Sequence, residues 1–351
     1  MHPRAVLLAA LLASSPAPAD EPCAPVKPCE IPDQGSAQAQ EPPADFAEQA
    51  RQVADLLGCR GRIPEGLDAA PVKAFCARQA RAQARAAQAR GALQAILQPL
   101  RPARLPSAAV YPLSGSDLAS ALAAYPDARN VTLTSSLPCG DPRLLPSLRD
   151  PGRLAAFLSS VAAEGERLPR LGSGPSPSAP AAGGAGALPL LLWAAAVEGD
   201  EPVGLKYVRV EPAGTLRYLG AAEIASMEKA AGPPPFDSCE LAIVRRGEPA
   251  GTLPRLVRNL RADLSNASVA ADPGPLAHLD SKGNFAAVLV GAAALSGDGF
   301  SRLRELLLKR AVFTVTDGTG PSAEQVKQAG LVREAERRSA GDRALVVIRR
   351  P

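Results

Sequence analysis

Residues 108–138 constrain the fold more than any other stretch of this chain. AAVYPL (108–113) reads as a strand, SGSD (114–117) as a turn, LASALAAYP (118–126) as a helix and NVTLTSSLP (130–138) as a second strand. Together they make a β-α-β unit, whose right-handed crossover lays the two strands parallel in one sheet. In open sheets of this kind ligands bind outside the carboxyl ends of the strands, so the turn Ser114-Gly115-Ser116-Asp117 is the first place to look for a site. Ser116 or Asp117 is the predicted cap of the helix that follows.

Downstream of this unit the pattern predicts a helix over 144–163 and strands over 204–210, 215–219, 240–245 and 256–264, an antiparallel or mixed set. An amphipathic helix is predicted over 301–310, with Leu303, Leu306 and Leu307 inward, followed by strands over 311–316 and 344–349. The runs LPLLLWAAAV (188–197) and FAAVLVGAAAL (285–295) have core-helix or strand length and fall short of the ~20 apolar residues of a membrane span. The Gly, Ser, Pro and Ala stretch 172–187 has no residue able to build a core and reads as a surface loop. It interrupts one α/β domain over 103–351; the alternative is a boundary between two domains.

Two helices are expected before that domain, as a hairpin over 44–102. The first carries Phe46, Val53 and Leu56 and stops at Gly58; the second starts at the cap Asp68 and is ended by Pro99 and Pro102. Arg78, Arg81 and Arg85 share a face of the second helix, which reads as a solvated face on an alanine-rich helix, with an acidic docking surface as the alternative. The predicted fold class is therefore α/β, a Rossmann-like β-α-β core with a mixed sheet, preceded by an N-terminal helical hairpin.

The chain starts as exported proteins do. A basic Met1–Arg4, an apolar stretch to Ser14 and Ala17-Pro18-Ala19 match a signal peptide cleaved after Ala19, which predicts a periplasmic or secreted protein. Residues 20–43, rich in Pro and Gln, read as a disordered leader. Six cysteines, Cys23, Cys29, Cys59, Cys76, Cys139 and Cys239, are an even set that an oxidising compartment would pair. Neighbourhood pairs Cys23 with Cys29 and Cys59 with Cys76, and leaves Cys139 for Cys239; a zinc site is the rival, but the spacings fit no finger or ribbon.

Composition removes several chemistries. Only 3% of residues are aromatic against 46% hydrophobic, so the core is built from Ala, Leu and Val and the rings that line sugar and nucleotide sites are scarce. Basic residues number 39 and acidic ones 35, a balance that does not point to nucleic acid. Of two histidines, His2 lies in the signal peptide, so any triad or Cys-His pair would have to use His278, which reads as a surface residue. No nucleophile elbow, P-loop or dinucleotide fingerprint occurs, and no motif requires a metal or a cofactor.

Two loops keep a functional reading beside the plain one of ordinary turns. Ser114, Gly115 and Ser116 form a glycine-containing turn before a helix, suited to a ligand. Asp317-Gly318-Thr319-Gly320 follows a strand in the same way, so Asp117 and Asp317 are the acid/base candidates, with Lys282 as an electrostatic partner.

YPLSGSDLASALAAYPDA (111–128) resembles an uncharacterised bacterial family with a Tyr-Pro-x-Ser-Gly-x-Asp strand-turn-helix motif. The resemblance continues in RADLSNASV, the family's Asp-Leu-Ser-Asn segment at Asp263 to Asn266, and in VTDGTGPS around Asp317. Ser116 replaces the family's proline and Gly318 its second aspartate, and KGNFAAVL at Lys282 lacks the serine and tyrosine expected after the lysine. The resemblance implies no known reaction; it singles out Ser114, Asp117, Asn266, Lys282 and Asp317.

These observations rank three roles. The first is an exported protein that binds a ligand or a partner in the bacterial envelope. The second is an extracytoplasmic hydrolase or other enzyme using carboxylates at the carboxyl edge of the sheet. The third is an envelope scaffold whose arginine-bearing helices dock another protein.

Overall fold

A computed structural model of the chain describes residues 41–61, 63–167, 186–230, 234–249, 251–337 and 344–350. The signal peptide, the leader, the Cys23–Cys29 pair and nearly all of the low-complexity loop lie outside the described residues. Among the described residues no helix is long and apolar enough to cross a membrane.

The first helices of the described residues are α1 (Ala47–Leu57) and α2 (Ala69–Leu97). Gly58 closes α1, and the Asp68 carboxylate accepts from Ala70 N–H at the start of α2, as the cap chemistry predicts. A single turn of 3-10 helix at Gln98–Leu100 ends α2 where Pro99 denies it a further amide. The β-α-β unit follows as β1 (Ala108–Tyr111), α3 (Leu118–Ala124) and β2 (Asn130–Ser135), with β1 and β2 parallel and adjacent.

The helix predicted over 144–163 is divided. A 3-10 turn at Leu145–Arg149 precedes α4 (Pro151–Arg167), because Pro151, which lacks an N–H, fits the first position of a helix better than its interior. Next come α5 (Leu188–Glu198), β3 (Asp200–Val210), β4 (Leu216–Tyr218), α6 (Ala221–Lys229), β5 (Ser238–Arg245) and β6 (Arg255–Arg261). The last part is α7 (Asn266–Ala271), α8 (Gly274–Asp280), β7 (Phe285–Leu289), α9 (Ser301–Arg310), β8 (Ala311–Thr316), α10 (Ala323–Gln328), β9 (Val332–Arg337) and β10 (Ala344–Arg349).

The ten strands of the described residues join one mixed sheet in the order β4-β3-β5-β6-β2-β1-β7-β8-β10-β9. The five central strands, β6, β2, β1, β7 and β8, are parallel; the strands outside them run antiparallel to their neighbours. From β1 the chain builds outward through β2 to β6, and from β7 it builds the opposite way to β8. The strand order thus reverses between β1 and β7, the position where doubly wound sheets leave a crevice.

Alternation along the strands supplies both faces of the sheet. Ala109 and Tyr111 of β1 enter the larger core with residues of α1 to α5, while Val110 enters a second core with residues of α7, α8 and α9. The two apolar runs of ambiguous type resolve by composition and length. Ala- and Leu-rich 188–198 is a helix apolar all round, sunk in the larger core and ended by left-handed Gly199, whereas five-residue β7 is buried on both faces as a central parallel strand is. Trp193 is 1% exposed and donates from Nε1 to Gln79 Oε1 at 2.9 Å; a Cβ at Gly165 would lie 2.8 Å from its ring, so glycine is what lets α4 pack there.

Disulfides join Cys59 to Cys76 and Cys139 to Cys239. The first ties the end of α1 into α2, and the second ties the segment after β2 to β5. Arg78 on α2 makes two bonds to Glu166 on α4, at 2.7 and 2.9 Å, so part of the arginine face is engaged within the fold.

Candidate functional site

The three segments singled out by motif in the sequence lie at one edge of the sheet. YPLSGSD starts at the last residue of β1, DLSN follows β6 and DGTG follows β8, all at carboxyl ends of parallel strands. Lys282 instead lies between α8 and β7, at the amino end of β7. A five-residue strand rises roughly 17 Å, so Lys282 enters the sheet on the edge opposite Asp117 and Asp317.

The turn after β1 is held by β2. Leu113 N–H donates to Thr134 Oγ1 at 3.1 Å, Ser114 N–H to Thr134 O at 3.0 Å, and the Ser114 hydroxyl to Thr134 O at 3.3 Å. Leu113 and Gly115 both adopt left-handed backbone, with φ of 58° and 60°. Nothing lies within 4 Å of where a Cβ at Gly115 would project, so the space beside this turn is open. Ser114 is buried, and Ser116 is half-buried.

Asp117 does two jobs here. Its Oδ1 accepts from Ser120 N–H at 3.0 Å, which caps α3, and its Oδ2 accepts from the Tyr111 hydroxyl at 3.2 Å. Burial pushes its carboxyl pKa up, and the bonds from Ser120 and Tyr111 oppose that rise. Burial also pushes the Tyr111 phenol well above its usual range, with the charge of Asp117 and then that of Asp317 adding to the effect. Both carboxylates therefore act on one buried phenol.

Asp317 is fixed by the loop it belongs to. Its Oδ2 accepts from Gly291 N–H, at the end of β7, at 3.1 Å, and its Oδ1 accepts from Thr319 N–H at 3.1 Å and from the Thr319 hydroxyl. Thr319 Oγ1 accepts from Ala292 N–H at 2.8 Å. The loops after β7 and β8 are in this way tied to each other at the carboxyl edge of the sheet. An aspartate two residues before a threonine is the signal for such a turn; Tyr111, Thr134 and Thr319 were not among the residues singled out from sequence.

Asn266 is spent on the fold: its amide donates to Asp298 O at 2.6 Å and Ser301 Oγ at 2.9 Å, and its Oδ1 accepts from Arg302 N–H, so it pins the start of α9. His278, expected at the surface, is 7% exposed on α8 with Nδ1 donating to Gly214 O at 2.8 Å. The reason is the β3–β4 turn, which folds over α8; a Cβ at Gly214 would lie 2.5 Å from His278 N. The two described clefts, of about 600 and 380 Å³, lie elsewhere, one beside α9 and α10 and one beside α1.

The fold and the geometry of its carboxyl edge define an α/β protein with a doubly wound parallel core whose strand order reverses between β1 and β7. Comparison with protein-family models, with curated proteins and with solved structures finds no match.

Proposed function

We propose that this chain is an exported envelope protein that binds a small ligand or a partner segment between the turn after β1 and the joined loops after β7 and β8. The observation that carries this reading is the reversal of strand order between β1 and β7, with the open turn at Gly115 on one side and the Asp317–Gly291 clasp on the other. Export is supported by the signal-like start and by two disulfides. On the resemblance drawn from the sequence, other chains with the Tyr-Pro-x-Ser-Gly-x-Asp motif would use the same edge.

The test is a thermal-shift screen of the purified protein against organic acids, amino acids, sugars and nucleosides, repeated with Ser116→Trp, which fills the crevice from a half-buried position. A ligand that stabilises the parent chain and not the variant supports the site. Equal stabilisation of both moves binding elsewhere.

The alternative of an acid/base enzyme has one observation of its own, the raised carboxyl of Asp117 bonded to the buried Tyr111 phenol. Turnover of an ester or glycoside that is lost in a folded Asp117→Asn variant would favour that reading over simple binding.

A further inference from the structure

Away from the carboxyl edge, four residues lie side by side on four neighbouring strands. Lys206 of β3 is in register with Glu240 of β5, Glu240 with Arg258 of β6, and Arg258 with Thr132 of β2. Their neighbours Leu205, Leu241, Val257 and Leu133 point into the larger core, so this row occupies the other face, where α8 packs. Arg258 Nη2 lies 2.6 Å from Glu240 Oε2, and the Tyr218 hydroxyl donates to Glu240 Oε1 at 2.9 Å. The Lys206 ammonium sits 6.0 Å from the centre of the Tyr218 ring.

Lys282, just past α8, is near enough to feel the charges of Arg258 and Glu240. It is half-buried, and among the described residues its ammonium has no hydrogen bond or ion pair. Burial and the charge of Arg258 push its pKa down to about 8, against the pull of Glu240. Three cations thus surround one carboxylate. Three buried polar atoms nearby lack partners: Arg258 Nε, Thr132 Oγ1 and Nε2 of His278, whose imidazole feels both Lys282 and Arg258. Unpartnered buried polar atoms are rare in folded proteins, and a partly buried surplus of positive charge calls for a counter-ion.

We infer that this face of the sheet, under α8, is a binding site for a small oxyanion, a phosphate or a carboxylate, held by Lys282, Arg258 and Lys206 and bordered by His278. The site is separate from the crevice between β1 and β7, and neither depends on the other.

His278 supplies the readout. In the full chain carrying His2→Gln it is the only imidazole, and its resonances can be followed by nuclear magnetic resonance in an untagged protein. Without added anion the ring should titrate at about 4. Adding inorganic phosphate at constant ionic strength should shift its resonances saturably and raise that pKa, since a bound anion favours the imidazolium. Acetate in place of phosphate tells which oxyanion the site prefers. Lys282→Met, which keeps the aliphatic stem, should weaken binding about tenfold or more. Lys206→Met makes the same comparison from a half-buried position if the first variant does not fold. No response of His278 to either anion up to roughly 10 mM overturns the inference. A response of equal affinity in the variant marks an adventitious ion only and overturns it as well.

Discussion

Tyr111, the last residue of β1, donates its hydroxyl to Asp117, the residue that caps α3, across a separation of 3.2 Å. One carboxylate thereby fixes both ends of the turn that forms the near wall of the crevice. Asp117→Ala should lower stability by about 1–3 kcal/mol, because it removes a cap and leaves a buried phenol unpaired. Asp117→Asn, which keeps an acceptor, should cost less.

The same residue sets a pH dependence. Because its folded pKa is raised above 3.8, the folded state holds the Asp117 proton more tightly than the unfolded state does. That contribution is complete below 3.8 and is lost as pH rises through the folded pKa. Urea titrations at successive pH values should show the stability of Asp117→Asn improving, relative to the parent, as pH rises from 3.8 towards neutral.

His278 has the opposite sign. Burial, with the charge of Lys282 behind it, lowers its pKa from 6.5 to about 4, so the neutral ring favours the fold. The stabilisation is present above 6.5 and is lost as pH falls through 4, an effect of about 3 kcal/mol. Replacing His278 with Gln should remove that segment of the acid-unfolding curve, and a variant that retains it would show that other groups carry it.

The two disulfides should not weigh equally. Cys139 and Cys239 are separated by 100 positions, Cys59 and Cys76 by 17. Loop-closure entropy puts the long link at about 5 kcal/mol and the short one at about 3 kcal/mol. Paired Cys→Ala variants measured by denaturant unfolding should rank in that order.

Gly214 joins the β3–β4 turn to α8. Its φ of +85° is left-handed, and a Cβ there would lie 2.5 Å from His278 N and 2.6 Å from Ala277 C. Gly214→Ala should cost more than about 1 kcal/mol. It should also raise amide exchange across α8, since backbone, not a flexible side chain, must give way.

What the sequence by itself determined is local. The β-α-β unit, the caps at Asp68 and Asp117 and the α9–β8 succession rest on periodicity and cap chemistry that span a few residues, and they stand where the pattern puts them. The disulfide partners were also legible, through neighbourhood for Cys59 with Cys76 and remainder for Cys139 with Cys239.

The placement of the candidate residues was decided only by the tertiary structure. Asp117 and Asp317 both act on Tyr111 because β1, β7 and β8 are neighbours in the sheet, an order that no local pattern encodes. Lys282 entered the sequence reading as their partner, yet it lies at the amino end of β7, where it meets Arg258 and Glu240 instead. His278 sits in a segment that reads as surface until the β3–β4 turn, more than sixty residues earlier in the chain, folds over it. The periodicity of a chain states which face of an element is buried; which element buries it depends on contacts between distant segments, and those contacts gather or separate the groups of a site.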